Sequence, residues 1–416
     1  MSAAVNRTFA SLSVPNYRRY FTGQIVSLSG NWMQIVAEMW LILQLTNSGV
    51  AVGLTTALQF APILIFGAYG GVLADRFDKR RLLMVTQVAM AVPALVLWAL
   101  VASGSIEPWM VMALAFARGT VNALDNPTRQ SFVIEMVGPE RVVNAVSLNS
   151  VIVHCARMVG PAVAGVLIAT AGVDLCFMVN AVSFGAMLIA LATMDPAKLA
   201  RPRRVHRERG AMRAALRYVA RTPSLAIPLA MMALVSTLGF NFQVLLPLLA
   251  KFTFDGGPGT YALLASSMAA GSIAGALASG ARGRVTLGLL IAASAAFGVF
   301  SLLAAGAPTM AIAVVALALA GAASVTFAAG VNSTLQLNVE PAMRGRVMAL
   351  YSVVFLGSTP LGGPLVGWLA ETAGPRSGLL LASAAALAAA VFAWRLSSTS
   401  DGRAAWPSSR APALTR

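Results

Sequence analysis

The chain is poor in almost everything that lets a protein face water or carry out covalent chemistry. Charged residues make up only 11% of its 416 positions, against about 25% in soluble domains, so most of its surface cannot be hydrated. There are two histidines, His154 and His206, and two cysteines, Cys155 and Cys176. That is too few, at the wrong spacing, for a metal centre or a disulfide framework, and neither a metal nor a cofactor is expected. No phosphate-cradling glycine loop is present, which argues against ATP-driven work by this chain alone. A membrane-embedded enzyme would need a cluster of histidines, acids or thiols near an interface, and none can be assembled. The N-terminus lacks a signal-peptide pattern: Arg18 and Arg19 lead into a long span with no small-residue cleavage site, which reads as a retained first helix.

What the chain has instead is hydrocarbon. Hydrophobic residues are 58% of the sequence and the mean hydropathy is +0.77. Many apolar runs exceed the ~20 residues that cross a ~30 Å bilayer core. They show no two-residue alternation, so a β-barrel is excluded. Twelve spans are predicted: Tyr20–Leu45, Val52–Leu73, Leu82–Val101, Trp109–Val133, Val142–Ala171, Leu175–Met194, Leu225–Ala250, Tyr261–Ala281, Val285–Ala305, Met310–Leu337, Val347–Ala373 and Ser377–Leu396.

The net charge of +16 would point to nucleic acid in a soluble protein, but here the cations collect in alternate loops. Arg7, Arg18 and Arg19 precede the first span; Arg76, Lys79, Arg80 and Arg81 follow the second; nine more lie between Lys198 and Arg221. The opposite loops hold only Lys251 and Arg376. This bias predicts an inner-membrane, multi-pass protein with both termini in the cytoplasm and a lipid rather than a nucleic-acid environment; a monomer is expected. Within the long basic link, Arg213, Arg217 and Arg221 recur every four residues, the pattern of a short interfacial helix.

An internal repeat divides the chain. Gly67, Gly71 and Asp75 have counterparts in Gly271, Gly275 and Ser279, a shift of about 204 positions of the kind parallel transporter repeats show. Gly160-Pro161 with Gly165 matches Gly363-Pro364 with Gly367, and Asn126 and Gln130 match Asn332 and Gln336. The expected fold is therefore an all-α polytopic membrane protein of twelve transmembrane helices in two six-helix, pseudo-symmetric halves. Residues 1–194 and 225–397 form the halves, 195–224 a basic cytoplasmic linker and 398–416 a disordered tail. The glycine–proline sets are read as helix-packing elements, since small residues let helices approach closely.

Ionisable groups inside the spans are costly and therefore functional candidates. Glu38 lies about two-thirds across the first span and Arg118 at similar depth in the fourth, on ~1.5 Å rise per residue. Arg157 is near mid-membrane in the fifth, with His154 one turn away. Glu38 is expected to pair with Arg118 or Arg157 and to exchange a proton as its surroundings alternate between dry and wet. A buried pair that only fixes helix registry is the competing reading. Asn31, Gln34, Asn241 and Gln243 occupy the first and seventh spans, matching places in the repeat, and are candidates to line a path. Glu371, near the outer end of the eleventh span, reads as interfacial.

The run Gly71-x-x-x-Asp75-Arg76-x-Asp78-Lys79-Arg80 resembles the signature of major facilitator superfamily transporters, departing from it at Asp78, where glycine is usual. Asp125-Asn126-Pro127-Thr128-Arg129-Gln130, with Trp40 to Thr46 closing the first span, is similar to a narrower branch holding the enterobactin exporter and the transmembrane secretion effectors. The resemblance implies a secondary transporter that exports a small amphipathic molecule against protons. A metabolite importer of the same fold is the alternative, and a non-transporting sensor a remoter one. It also implies a latch on the cytoplasmic side of Gly71, Asp75, Arg76, Lys79, Arg80, Asp125 and Arg129. In it Asp75 would cap the eleventh helix near Val347 and Met348, and Lys79 would pair with Asp125. Gly160, Pro161 and Gly165 resemble an exporter motif in which Ala164 replaces a glycine. Arg118 matches the arginine of a second family motif, in which Asn122 stands for glycine.

Overall fold

The computed structural model describes residues 10–200, 211–282, 285–340 and 343–398. The long helices follow in chain order as α1 Pro15–Thr46, α2 Gly49–Arg76, α3 Lys79–Ala102, α4 Pro108–Val137, α5 Val142–Ala171 and α6 Val173–Ala192. A short α7, Ala211–Ala220, leads to α8 Pro223–Leu238, α9 Phe242–Phe252, α10 Pro258–Arg282, α11 Leu287–Ala305, α12 Met310–Asn338, α13 Arg344–Gly357, α14 Thr359–Ala373 and α15 Pro375–Ser398. No strand occurs among the described residues.

Local chemistry sets the joints. Prolines open α1 and α4 in their first turns, where the missing N–H costs nothing. Asn47, at φ 50°, ends α1 in the left-handed region that asparagine tolerates. Ser48 then caps α2 by accepting from Ala51 N at 3.2 Å. Asp78, the departure from the family signature, caps α3 by accepting from Arg81 N at 2.9 Å; its carboxylate replaces turn flexibility with a helix start.

Among the described residues ten spans are long and apolar enough to cross a membrane, with α8–α9 and α13–α14 each counted as one. Helices α1 and α4, of 32 and 30 residues, fall outside that set because they carry the polar groups described below, yet both pack among its members. The seventh and eleventh predicted spans are broken rather than continuous. The first break, at Gly239–Asn241, frees the Thr237 carbonyl, which Asn241 Nδ2 takes at 2.7 Å. The second, at Ser358, lies two residues before Pro360 in the first turn of α14, whose ring nitrogen has no hydrogen to donate back into the preceding turn.

Helices α1 to α6 contact one another chiefly through α1–α5, α1–α6, α2–α4 and α3–α6. Helices α8 to α15 do so through α10–α12, α11–α12, α11–α15 and α8–α15. The two groups meet mainly along α2–α14 and α5–α10. Glycine makes both crossings close. A Cβ on Gly53 would lie 2.8 Å from the carbonyl carbon of Gly363, and one on Gly367 would lie 2.9 Å from that of Gly49. Gly165 packs directly on Ala262 across α5–α10, while Gly160 packs on Trp32 and Met33 of α1. The glycines of both Gly-Pro sets are thus tight-packing positions. Gly67 is not: a Cβ there would meet only Ile63 of its own helix, at 3.8 Å. Its repeat counterpart Gly271, by contrast, presses on the Ala318 backbone.

Candidate functional site

A cavity of about 750 Å³ lies between the two groups of helices, lined from α1, α2, α4 and α5 on one side and from α9, α10, α12 and the α8–α9 break on the other. It reaches Tyr20 and Gln24 in the first turns of α1. Toward the far end of α1 it is stopped. There Trp40 stacks on Tyr261 with ring centroids 6.3 Å apart, and the residues from Met39 to Leu43 share one buried core with Val244 to Ala250 of α9. Polar ties reinforce this closed end. Lys251 Nζ donates to Asn47 Oδ1 at 2.5 Å and to the Leu43 carbonyl at 3.4 Å. Glu371 Oε2 accepts from Ser48 Oγ at 2.6 Å and from Val50 N at 3.0 Å. The acid expected to be merely interfacial therefore holds the N-terminus of α2, where unpaired N–H groups favour an anion.

Deep between α1, α4 and α6 sits the most buried charge. Glu38 is fully buried and Arg118 is 3% exposed. Arg118 Nη2 donates to Glu38 Oε2 at 2.5 Å, and Nη1 donates to Asn31 Oδ1 at 3.0 Å. The second carboxylate oxygen accepts from Gln34 Nε2 at 2.6 Å. Gln34 Oε1 in turn accepts from Asn180 Nδ2, and Asn180 Oδ1 accepts from Ser183 Oγ at 3.0 Å. A continuous polar chain thus runs from Arg118 to Ser183. Sequence reasoning singled out Glu38, Arg118 and Asn31 here but missed Asn180 and Ser183. It also set Gln34 on the path, whereas Gln34 is fully buried between Glu38 and Asn180 and is not part of the cavity lining. The available signal was one lone amide in an otherwise apolar α6.

The alternative partner, Arg157, does not meet Glu38. Its guanidinium carbon lies 4.5 Å from the Trp32 ring centroid, and its Nε is buried without a hydrogen-bond partner. Asn241 and Gln243 line the cavity as expected, and Asn241 Oδ1 and Gln243 Oε1 are buried and unpartnered.

The predicted pairing of Lys79 with Asp125 is replaced by another. Lys79 Nζ donates to Glu135 Oε1 at 2.5 Å. Asp125 is already occupied, accepting from Thr86 Oγ1 at 2.6 Å, from Gln87 Nε2 at 2.9 Å and from Arg129 Nε. Helix α4 does not end near Asp125 but runs on to Val137, so Glu135, about 15 Å further along it, is the acid that lies beside Lys79. Arg80 leaves the loop to cap α6, donating to the carbonyls of Leu191 at 2.6 Å and Ala192 at 2.8 Å. Arg76 ends α2 exposed, in its last turn. Gly71, Asp75 and His154 lie outside the residues whose side chains are described. Among the described residues no set of three or more His, Cys, Asp or Glu side chains could hold a metal.

Comparisons with known proteins agree with this architecture. The chain is 27% identical over 366 residues to the enterobactin exporter of Citrobacter koseri, covering 85% of each. It is 24% identical over 373 residues to macrolide efflux protein A of Streptococcus pyogenes, covering 87% of this chain and 91% of that protein. To the staphyloferrin A transporter of Staphylococcus aureus it is 29% identical over 174 residues, a match that spans 44% of that protein's length. In fold it resembles a bacterial homologue of the human lysosomal transporter Spinster, solved inward-facing and unoccupied. There the TM-score is 0.74 at 14% identity, covering 92% of this chain and 97% of that one. The family description "transmembrane secretion effector" matches residues 6–413. The chain is thus a multi-pass membrane protein of the transmembrane secretion effector family, within the major facilitator transporters.

Proposed function

We propose that the chain exports small amphipathic molecules by alternating access, driven by protons. The observation that carries this reading is a buried Glu38–Arg118 pair beside a central cavity closed at one end. With the loop cations at the other end facing the cytoplasm, the cavity opens inward and the Trp40–Tyr261 end is the outer gate. Twelve crossings then divide into halves at residues 1–194 and 225–397, joined by a cytoplasmic linker at 195–224 and ending in a tail at 398–416, and the monomer spans the inner membrane. Relatives named for export of enterobactin and of macrolides support the direction.

Glu38 is the proton site in this reading. Ionised, it holds Arg118; protonated, it releases that guanidinium to the cavity and loosens α1 from α4. Asp75, with Gly71 and Arg76 beside it, would hold the start of α13 when the protein faces outward, as an anion at a helix N-terminus. The test is purified protein in liposomes under an imposed pH gradient, screened with dyes, antibiotics and siderophores. Gradient-driven transport is expected in the wild type and lost in Glu38→Gln. Full gradient-driven transport by that variant would remove Glu38 from the role.

A further inference from the structure

Three guanidinium groups line the cavity, from Arg118, Arg129 and Arg157. Glu38 neutralises the first and Asp125 the second. Among the described residues no carboxylate pairs with the third. Arg157 occupies the middle of α5, where an unpaired charge is expensive, and a cation–π contact with Trp32 is worth only about 0.5–2 kcal/mol. That contact takes one face of the guanidinium and leaves its in-plane N–H fork free, the geometry that binds an oxyanion bidentately. Across the cavity the wall changes character. Phe240, Phe242 and Tyr261 supply ring surface, and the buried oxygens of Asn241 and Gln243 lack donors.

We propose that Arg157 is an anion-binding subsite for the cargo. The transported molecule is an amphipathic anion: a carboxylate, phenolate or sulfonate seats on Arg157 beside Trp32. Its ring or apolar body lies on Phe240 and Tyr261, and its hydroxyl or amide donors meet Asn241 and Gln243. The inference rests on the export reading for the word cargo. It accounts for a buried charge that the fold itself leaves uncompensated.

The test compares two probes of one scaffold, 8-anilino-1-naphthalenesulfonate and the uncharged N-phenyl-1-naphthylamine, with the full chain in phosphatidylcholine nanodiscs and empty discs subtracted. The wild type should bind the sulfonate about tenfold or more tightly than the neutral amine, the discrimination a charge-assisted pair gives. Arg157→Lys should keep most of that preference, and Arg157→Gln should bring the ratio toward one. Equal or better binding of the neutral probe by the wild type would overturn the subsite without needing any variant, as would an unchanged ratio in Arg157→Gln. A lipid phosphate offers the same chemistry, so the titration is repeated in discs containing phosphatidylglycerol. Loss of sulfonate binding there would assign Arg157 to lipid and overturn its role with cargo. Gradient-driven efflux of each probe from liposomes separates the two ideas. Efflux of the neutral amine with no sulfonate preference leaves the exporter and removes the subsite. Arg157-dependent binding without efflux does the reverse.

Discussion

Neutralising one member of the Glu38–Arg118 pair should cost far more than neutralising both. The two side chains are 0% and 4% exposed and meet at 2.5 Å. With charge centres about 4 Å apart and an effective dielectric near 20, their attraction is about 4 kcal/mol. Glu38→Gln leaves Arg118 buried and charged with only neutral acceptors, Asn31 and the new amide oxygen, a change that costs about 3–5 kcal/mol in comparable buried pairs. Arg118→Met is the milder single change, because a carboxyl can shed its charge by taking a proton and a guanidinium cannot. The double variant replaces the pair with uncharged groups of similar volume and should recover most of the loss. Unfolding free energies from sodium dodecyl sulfate titration in mixed micelles give the cycle. A coupling of about 2–4 kcal/mol is expected from the attraction above. If the two single losses simply add to the double loss, within about 0.5 kcal/mol, the pair does not hold α1 to α4. The central premise of the transport reading then fails with it.

Three further outcomes follow from the gate and the loop. Gly53→Ala places a methyl 2.8 Å from the Gly363 carbonyl carbon, where backbone cannot yield, and should destabilise the closed end of the cavity by about 1–3 kcal/mol. Lower occupancy of the closed Trp40–Tyr261 end, by spin-label distances between the exposed Leu45 and Phe252, would register it. Glu371→Gln removes an exposed anion from the α2 N-terminus and should shift the same distance distribution by no more than about fivefold in population; a larger shift would mean the acid does more than cap. Asp75→Asn should leave the thermal unfolding of the purified protein unchanged and abolish transport in liposomes, whereas normal turnover would sink the latch.

Which parts of this were readable beforehand follows from what a sequence encodes. Depth is encoded, because helix rise is fixed, so Glu38 and Arg118 could be matched across two spans. Where a helix ends is less legible. Asp125 reads as the close of the fourth span and the partner of Lys79, but α4 runs on to Val137. Glu135, about 15 Å further along the same helix, takes the lysine. Glycine spacing announced the α2–α14 and α5–α10 crossings but not which glycines would touch; Gly67 stands free while Gly53, unremarked, meets Gly363. The breaks at Gly239–Asn241 and Ser358 were hidden inside hydrophobic runs, because hydropathy averages over a joint. Asn180 was overlooked since one amide barely lowers the hydropathy of a 20-residue apolar helix.

The chain from Glu38 through Gln34 and Asn180 to Ser183 has two complete wirings. In the present one each amide nitrogen donates toward Glu38 and Ser183 donates to Asn180 Oδ1. Were Glu38 Oε1 to take a proton, it would need an acceptor. Turning both amides over supplies one: Glu38 donates to Gln34 Oε1, Gln34 to Asn180 Oδ1, and Asn180 to Ser183 Oγ. The serine hydrogen still has a home, since Ser183 Oγ lies 2.7 Å from the Asn180 carbonyl. Amide groups have a donor and an acceptor end of nearly equal shape, so the reversal needs no backbone movement and orphans no polar atom. A helix that hardly touches the cavity thereby fixes which way the hydrogen bonds around the buried acid run, and substitutions at Asn180 or Ser183 would break that chain from outside the cavity lining.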